Sequence, residues 1–498
     1  MSEKSYYITT PIYYVNDKPH LGHAYTTIAA DVLARFKRLQ GHDVFFLTGT
    51  DEHGVKVSQS AKAARLSPQE FTDQQSAIFR MAWDILDISN NDFIRTTEPR
   101  HEEAAKKFLL ELFDKNLIYK DKYEGLYCVG CESYKTDSEL VDGKCPDHNI
   151  EPILLSEDNW FFKLSRFNDQ LKKLIEKDEL LVRPVARKNE MLGLLKQGLE
   201  DIAISRQKVD WGIPLPFDKS QTAYVWIEAL MNYVTGVGFQ DDKKRFQQIW
   251  PADVHLMAKD IVKFHALIWP AMLLGVGLPL PRQVFAHGFF TVDGKKMSKT
   301  LGNVIDPVEI SEKYGVDGLK YLIIREISFG EDGDISLGRF DERYNADLAN
   351  GLGNLVSRVL AIAGQREFET DYSQSKDFEQ QVKLTWAGYE QAMTDLKFND
   401  ALDSVWKLIS SCDKYIEVKK PWELSGDGLI PVLTNVLEAI RQIGWLIQPF
   451  MPLTAEEILS QLKVYDTEKI KPLKDIQAWG GLTGKLALSK GEALFIRL

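Results

Sequence analysis

Tyr6, Tyr7 and Ile8 form a short apolar run before Thr9, and after Pro19 the residues Ile28, Val32, Phe36 and Leu39 recur at three- to four-residue intervals up to Gly41. The first pattern predicts a buried strand and the second a helix with one apolar stripe. Asp43 to Thr48 returns to a strand-like run. Strand, helix and strand in so short a stretch predict a right-handed parallel crossover, whose ligands bind outside the carboxyl ends of the strands. That geometry gathers Thr10, Ile12, His20, His23 and Asp51 around one crevice.

Glu102 to Asn116 is again helical, but Tyr119 to Ile150 changes character, being rich in glycine, aromatic residues and cysteine. It reads as an insertion. The apolar pattern resumes from Ala223 through Trp226, Tyr233 and His255, continues in a helix around Ile261 to Leu274, and ends in the strand-like Val284 to His287. Val292-Asp293-Gly294-Lys295 then supplies a tight hairpin turn. Beyond Arg339 the stripes are helical, carried by Leu348, Leu352, Leu355 and Val359 and later by Val405, Leu408 and Ile409. The expected fold is α/β: a split Rossmann-type nucleotide-binding domain (1–117 and 223–288) interrupted by an insertion (118–222). A loop module (289–338) and an all-α helix bundle (339–498) follow. No internal repeat, low-complexity tract or coiled coil is present.

A chain of 498 residues exceeds one ordinary core, and 44% hydrophobic with 27% charged residues suits a folded, water-exposed protein. The first residues carry no basic, apolar leader and no uncharged apolar run reaches the ~18 residues of a membrane span, so a cytoplasmic address without membrane contact is expected. A net charge of −11 argues against a general polyanion binder. Basic residues still concentrate locally, at Arg183, Arg187, Lys188, Lys196, Arg206 and Lys208, where a solvated face is the simpler explanation.

Three short patterns carry chemistry. In His20-Leu21-Gly22-His23, imidazoles at a helix start can donate to phosphate oxygens and Gly22 leaves room for adenine against the backbone. In Lys296-Met297-Ser298-Lys299-Thr300, two lysines on a loop can neutralise a developing pyrophosphate. Together they describe a nucleotide clamp suited to transfer of adenylate from ATP. Cys128-x2-Cys131 and Cys145-x2-His148 have the two-pair spacing of a tetrahedral zinc knuckle, closed and therefore structural. Cys412 stands apart as a core residue. Asp51 follows the second strand, where a carboxylate reaches a bound ammonium group or, alternatively, caps a helix.

With these residues in hand the chain resembles the class I aminoacyl-tRNA synthetases, and within them the methionyl-tRNA synthetases of the short bacterial type with one zinc knuckle. Thr9 to Tyr14, His20 to His23, Thr50 to Gly54, Tyr224-Val225-Trp226, Asp260-Ile261-Val262, Phe264-His265, His287-Gly288 and Lys296 to Thr300 fall in that family's order along the whole chain. The resemblance implies a methionine pocket lined by Ile12, Tyr14, Trp226, Leu230, Tyr233, Ile261 and His265, with Asp51 on the amino group. Tyr233 and His265 would hydrogen-bond near the sulfur, a weak acceptor. It implies that His20, Gly22, His23, His287, Gly288, Lys296 and Lys299 bind ATP with Mg2+, and that His20, His23, Lys296 and Lys299 stabilise phosphate charge during catalysis. One structural Zn2+ per chain would sit on Cys128, Cys131, Cys145 and His148. Asn350, Asn354, Arg358 and Trp422 would read the anticodon, by base edges and by stacking.

The implied reaction is attack of the methionine carboxylate on the α-phosphorus of ATP, then transfer of the methionyl group to the 3′ end of initiator and elongator tRNA(Met), by a monomer lacking the appended tRNA-binding domain of longer members. Thr300 in place of the usual serine, Leu230 in place of proline and Ala258 in place of glycine depart from the family pattern. Another class I synthetase, a small-molecule nucleotidylyltransferase and a tRNA-binding scaffold without catalysis are the competing readings. Ordinary core packing competes for each aromatic residue, Trp422 included.

Overall fold

Parallel strands buried on both faces need apolar side chains on both, and Tyr7 and Ile8 are each 0% exposed on opposite sides of the first strand. The computed structural model describes residues 5–130, 133–135, 137–146, 149–207, 209–292, 294–296 and 304–498. Six parallel strands form its central sheet: β1 (Ser5–Tyr14), β2 (Asp43–Asp51), β3 (Asp92–Arg95), β4 (Leu181–Arg183), β5 (Val254–Ala258) and β6 (Gln283–His287). They lie in the order β3-β2-β1-β5-β6-β4. Chain direction across the sheet reverses between β1 and β5, so a crevice opens there at their carboxyl ends.

Alternation along the strands divides the interior into two cores. Ile8, Leu256 and Phe285 join the one that contains helix α1 (Leu21–Leu39), whereas Tyr7, Met257, Val284 and Ala286 join the other. The first core runs on into the C-terminal helices, and the second surrounds Leu230 and Tyr233. One strand irregularity bears on the site. The register of β1 against β2 shifts between Thr9 and Ile12, around Pro11, which has no N–H for the ladder. This re-aims Ile12 to Tyr14 relative to a regular strand.

The insertion is a separate antiparallel sheet in which Ile118–Cys128 pairs along its length with Ile153–Phe162, flanked by Ser133–Lys135 and Ile202–Ala203. Its expected span of 118–222 is not structurally uniform. β4 lies within that span, yet pairs with β6 as the edge of the catalytic sheet. A three-residue strand is too short to show periodicity, so its partner is settled only by the fold.

Phe290–Val292 and Lys295–Lys296 form the expected hairpin, with Val292 opposite Lys295 and Gly294 at φ +74°. Gly333–Ile335 adds a parallel strand. Beyond it the chain is helical, as expected, through Leu337–Arg343, Asn354–Ala363, Lys376–Thr394, Phe398–Lys419, Ile430–Ile447 and Pro452–Gln461. A two-stranded tie of Phe368–Glu369 with Lys485–Leu486 interrupts the pattern. Cys412 is fully buried in this region. Among the described residues no helix is long and apolar enough to cross a membrane.

A candidate active site at the carboxyl ends of the strands

α1 starts at the crevice, and its first turn is closed by histidine rather than by the usual Ser, Thr, Asp or Asn. His20 is the N-cap: its Nδ1 accepts the Gly22 N–H at 3.1 Å, while the His20 N–H donates to Nδ1 of His23 at 3.2 Å. The rings stack with centroids 3.7 Å apart. A backbone N–H aimed at each Nδ1 places the ring proton on Nε2, so each imidazole presents an N–H donor edge. Burial, with His20 second, holds the His23 pKa well below the ordinary imidazole value. His23 is thus a neutral donor, oriented by the backbone, and Tyr13 steadies it from below with ring centroids 4.8 Å apart.

Leu230 and Tyr233 are buried in the second core, and Ile12, Trp226 and Ile261 are partly buried against it, as is Tyr14, which also packs against the first. Trp226 stacks on Phe264 at 4.5 Å. His265 donates from Nδ1 to the Ile261 carbonyl at 2.9 Å, so its Nε2 accepts from the Tyr233 hydroxyl at 2.8 Å. Burial lowers the His265 pKa to about 4. The two polar groups expected to donate near a thioether therefore satisfy each other, and apolar and aromatic surface is what this wall presents. Asp51 closes β2 opposite Tyr14 and is 6% exposed. It does not cap the next helix, Val55–Ala63, whose N-cap is Gly54.

His287 ends β6 with both ring nitrogens engaged, Nδ1 donating to the Gly288 carbonyl at 2.8 Å and Nε2 accepting from Thr26 at 2.6 Å. Burial lowers its pKa to about 4. This places His287 as a tie between β6 and α1. Gly288 lies so close to the loop module that a Cβ there would stand 2.2 Å from the Glu331 carbonyl oxygen. Lys296 is described in its backbone alone, and Lys299 lies outside the described residues.

A family model described as tRNA synthetases class I (M) matches residues 6–152 and 148–360, and one for the anticodon-binding domain of tRNA ligase matches residues 376–480. A methionine–tRNA ligase of Caldanaerobacter subterraneus subsp. tengcongensis is 44% identical over 100% of this chain and 79% of its own length. That of Streptomyces coelicolor is 41% identical over 99% of this chain and 97% of its own. The chain belongs to the methionine–tRNA ligase family. Among solved structures, the Mycobacterium tuberculosis methionyl-tRNA synthetase in complex with methionyl-adenylate superposes with a TM-score of 0.94 at 37% identity, covering 99% of this chain and 100% of that one.

The class I catalytic domain is followed by a helical anticodon domain, and the residues expected to read the anticodon straddle the two matched regions. Asn350 and Asn354 are exposed and Arg358 is half-buried, four residues apart in succession and so on one face. Trp422, from a different helical segment, is 52% exposed and lies 5.7 Å from the Arg358 guanidinium. Its exposure excludes core packing for this tryptophan.

The expected zinc ligands are only partly placed. Cys128 ends the long insertion strand and Cys145 sits in a tight turn closed by Asn149 N–H to its carbonyl at 2.7 Å. Both thiols are buried and outside any disulfide. Cys131 and His148 lie outside the described residues, and among the described residues no group of three or more His, Cys, Asp or Glu is arranged to hold a metal ion.

The largest feature missed in the sequence is ionic. Glu228, 0% exposed, accepts from His53 Nδ1 at 2.8 Å and from His101 Nε2 at 2.9 Å. Burial works against both charges. The two histidines nevertheless keep the Glu228 pKa below the usual carboxylate value, and Glu228 lifts His53 above the usual imidazole value. Next to it, Glu52 accepts from Arg95 at 2.7 Å and from Thr50 at 2.7 Å. His53 appears in the sequence as part of a motif, but nothing local marks its partners, which lie on other elements.

Proposed function

We propose that this chain activates L-methionine with ATP to methionyl adenylate and transfers the methionyl group to the 3′ end of tRNA(Met). The observation that carries the reading is the pair of backbone-oriented imidazoles at the start of α1, shortly after the carboxyl end of β1, where Tyr14 pairs with Asp51. Neutral Nε2–H groups of His20 and His23 suit phosphate oxygens whose charge grows in the transition state, because oriented dipoles need no reorganisation at the moment of reaction. Lys296 and Lys299 supply the positive charge from the loop module, and Mg2+ accompanies ATP.

Methionine binds with its ammonium group on Asp51 and its thioether along Ile12, Tyr14, Trp226, Leu230, Tyr233, Ile261 and His265. Adenine lies against Gly22, and His287 and Gly288 at the end of β6 complete the ATP site with His20, His23, Lys296 and Lys299. No protein nucleophile is needed, since the methionine carboxylate attacks the α-phosphorus directly and positioning supplies the catalysis. Cys128, Cys131, Cys145 and His148 hold one structural zinc; the two buried thiols of the described pair are the soft donors such a site requires. Asn350, Asn354 and Arg358 read base edges while Trp422 stacks on a base.

The decisive measurement is amino-acid-dependent pyrophosphate exchange run separately with each amino acid. Exchange with methionine alone is expected, and equal exchange with isoleucine, leucine or valine would overturn the reading. Elemental analysis should find about one zinc per chain, and active protein free of zinc would remove the knuckle from it.

A further inference from the structure

We propose that Glu228 is a positioning residue for methionine: by bridging His53 and His101 it locks the turn that directly follows Asp51 to the short helix that carries Trp226 and is capped by Leu230. This rests on the methionine pocket proposed above. Val225–Ala229 is a helix of only five residues, and one turn of helix is not stable by itself, so tertiary contacts must set its orientation. Trp226 and Leu230 are four apart and share a face. Glu228 stands two residues from each, about 200° around the helix, and so anchors it from behind.

The anchor reaches two separate elements. Through His53 it holds the turn after β2, and through His101 it holds helix Pro99–Asp114, at 2.8 and 2.9 Å. The turn has a second set of fixings: Glu52 to Arg95, the Trp211 indole N–H to the Glu52 carbonyl at 2.6 Å, and Gly54 N–H to the Trp211 carbonyl at 3.1 Å. Trp211 reaches the Trp226 helix only at one remove, through the Ala223 N–H donated to the Ile213 carbonyl at 2.7 Å just before that helix begins. The His53–Glu228 pair joins the turn to the helix directly, side chain to side chain, and so bears on the separation between the group proposed to hold the ammonium and the wall proposed to hold the side chain. With the carboxylate removed, the buried His53 Nδ1–H loses its acceptor, and the direct tie between the turn and the Trp226 helix is lost.

The test is steady-state pyrophosphate exchange with the full chain carrying Glu228→Gln or Glu228→Asp. Glu228→Gln should raise the KM for methionine about tenfold or more, with kcat and the KM for ATP within about threefold, since a displaced binding group costs affinity for the ligand it holds. Glu228→Asp keeps the charge on a shorter arm and should recover part of the loss. If Glu228→Gln does not fold, His101→Asn removes one arm and should show the same selective rise in smaller degree. A methionine KM changed less than about twofold, or kcat and both KM values moving together with a lowered Tm, overturns the proposal. Asp51→Asn and Trp226→Ala separate the two levels. If they raise the methionine KM while Glu228→Gln does not, only the positioning role fails, whereas if neither raises it the pocket assignment fails and the proposal with it.

Discussion

The crevice and the helical face handle polar groups in opposite ways. In the crevice the imidazoles of His20, His23, His265 and His287 are each held by backbone atoms, hydroxyls or one another, with tautomers decided before any ligand arrives. On the helical face Asn350, Asn354 and Trp422 are exposed, and the Arg358 guanidinium lies over the Trp422 ring. A site that must stabilise developing charge gains from dipoles fixed in advance, because reorganisation would otherwise take back part of the benefit. A surface that captures a large, deformable nucleic acid gains from side chains that adjust on contact, and stacking tolerates small shifts. Substitutions should therefore affect chemistry steeply at the first site and recognition moderately at the second.

The largest effect is expected from His23→Ala. Losing one oriented donor should slow methionine-dependent pyrophosphate exchange about 100- to 1000-fold. A rate within about threefold of the parent in single-turnover adenylate formation would remove His23 from the clamp.

The buried imidazoles should also make stability depend on pH. His265 and His287 have pKa values lowered to about 4 by burial, against 6.5 for the free side chain. The unfolded chain therefore binds protons that the folded chain refuses. Their stabilising contribution is complete above pH 6.5 and is lost progressively as the pH falls toward 4, by up to ~3 kcal/mol for each group. His53, raised by Glu228, works in the other direction: its contribution is present below pH 6.5 and lost as the pH rises through its elevated value. Urea denaturation of the parent and of His287→Gln at pH 7 and pH 5 resolves the first effect, and the parent should lose more stability between the two. Equal losses would show that His287 is protonated in the folded state at pH 5.

Smaller effects belong to the helical face. Trp422→Ala should weaken aminoacylation of tRNA by about 1–3 kcal/mol in kcat/KM, with exchange in the absence of tRNA unchanged. A parallel loss of both activities would couple the two regions and defeat the contrast. Arg358→Ala should cost less, about 0.5–1 kcal/mol if its role is to support the exposed Trp422 ring. A loss larger than that of Trp422→Ala would identify Arg358 as a direct reader of a base.

Much of the architecture is legible in the pattern of residues because its causes are local. The β1–α1–β2 crossover, the hairpin that pairs Val292 with Lys295, the cysteine-rich insertion and the helical end of the chain each follow from spacing, turn chemistry or composition within a few tens of residues. The same holds for the presence of histidine at the start of α1. What the histidines do there was not legible, since the tautomer of each depends on which backbone N–H reaches its Nδ1, and that requires the actual turn. Tyr233 and His265 look like donors for a ligand until the fold aims them at each other.

Glu228 is the sharpest case, with partners 175 and 127 residues away in sequence at His53 and His101. β4 likewise finds its place beside β6 across the entire return of the chain. Sequence by itself determined which elements form and which reactive side chains they carry, because propensity and periodicity act over short separations. The tertiary structure alone decided which buried charges meet and which protons remain to be donated, because those depend on distances of a few ångströms between segments that the sequence keeps far apart.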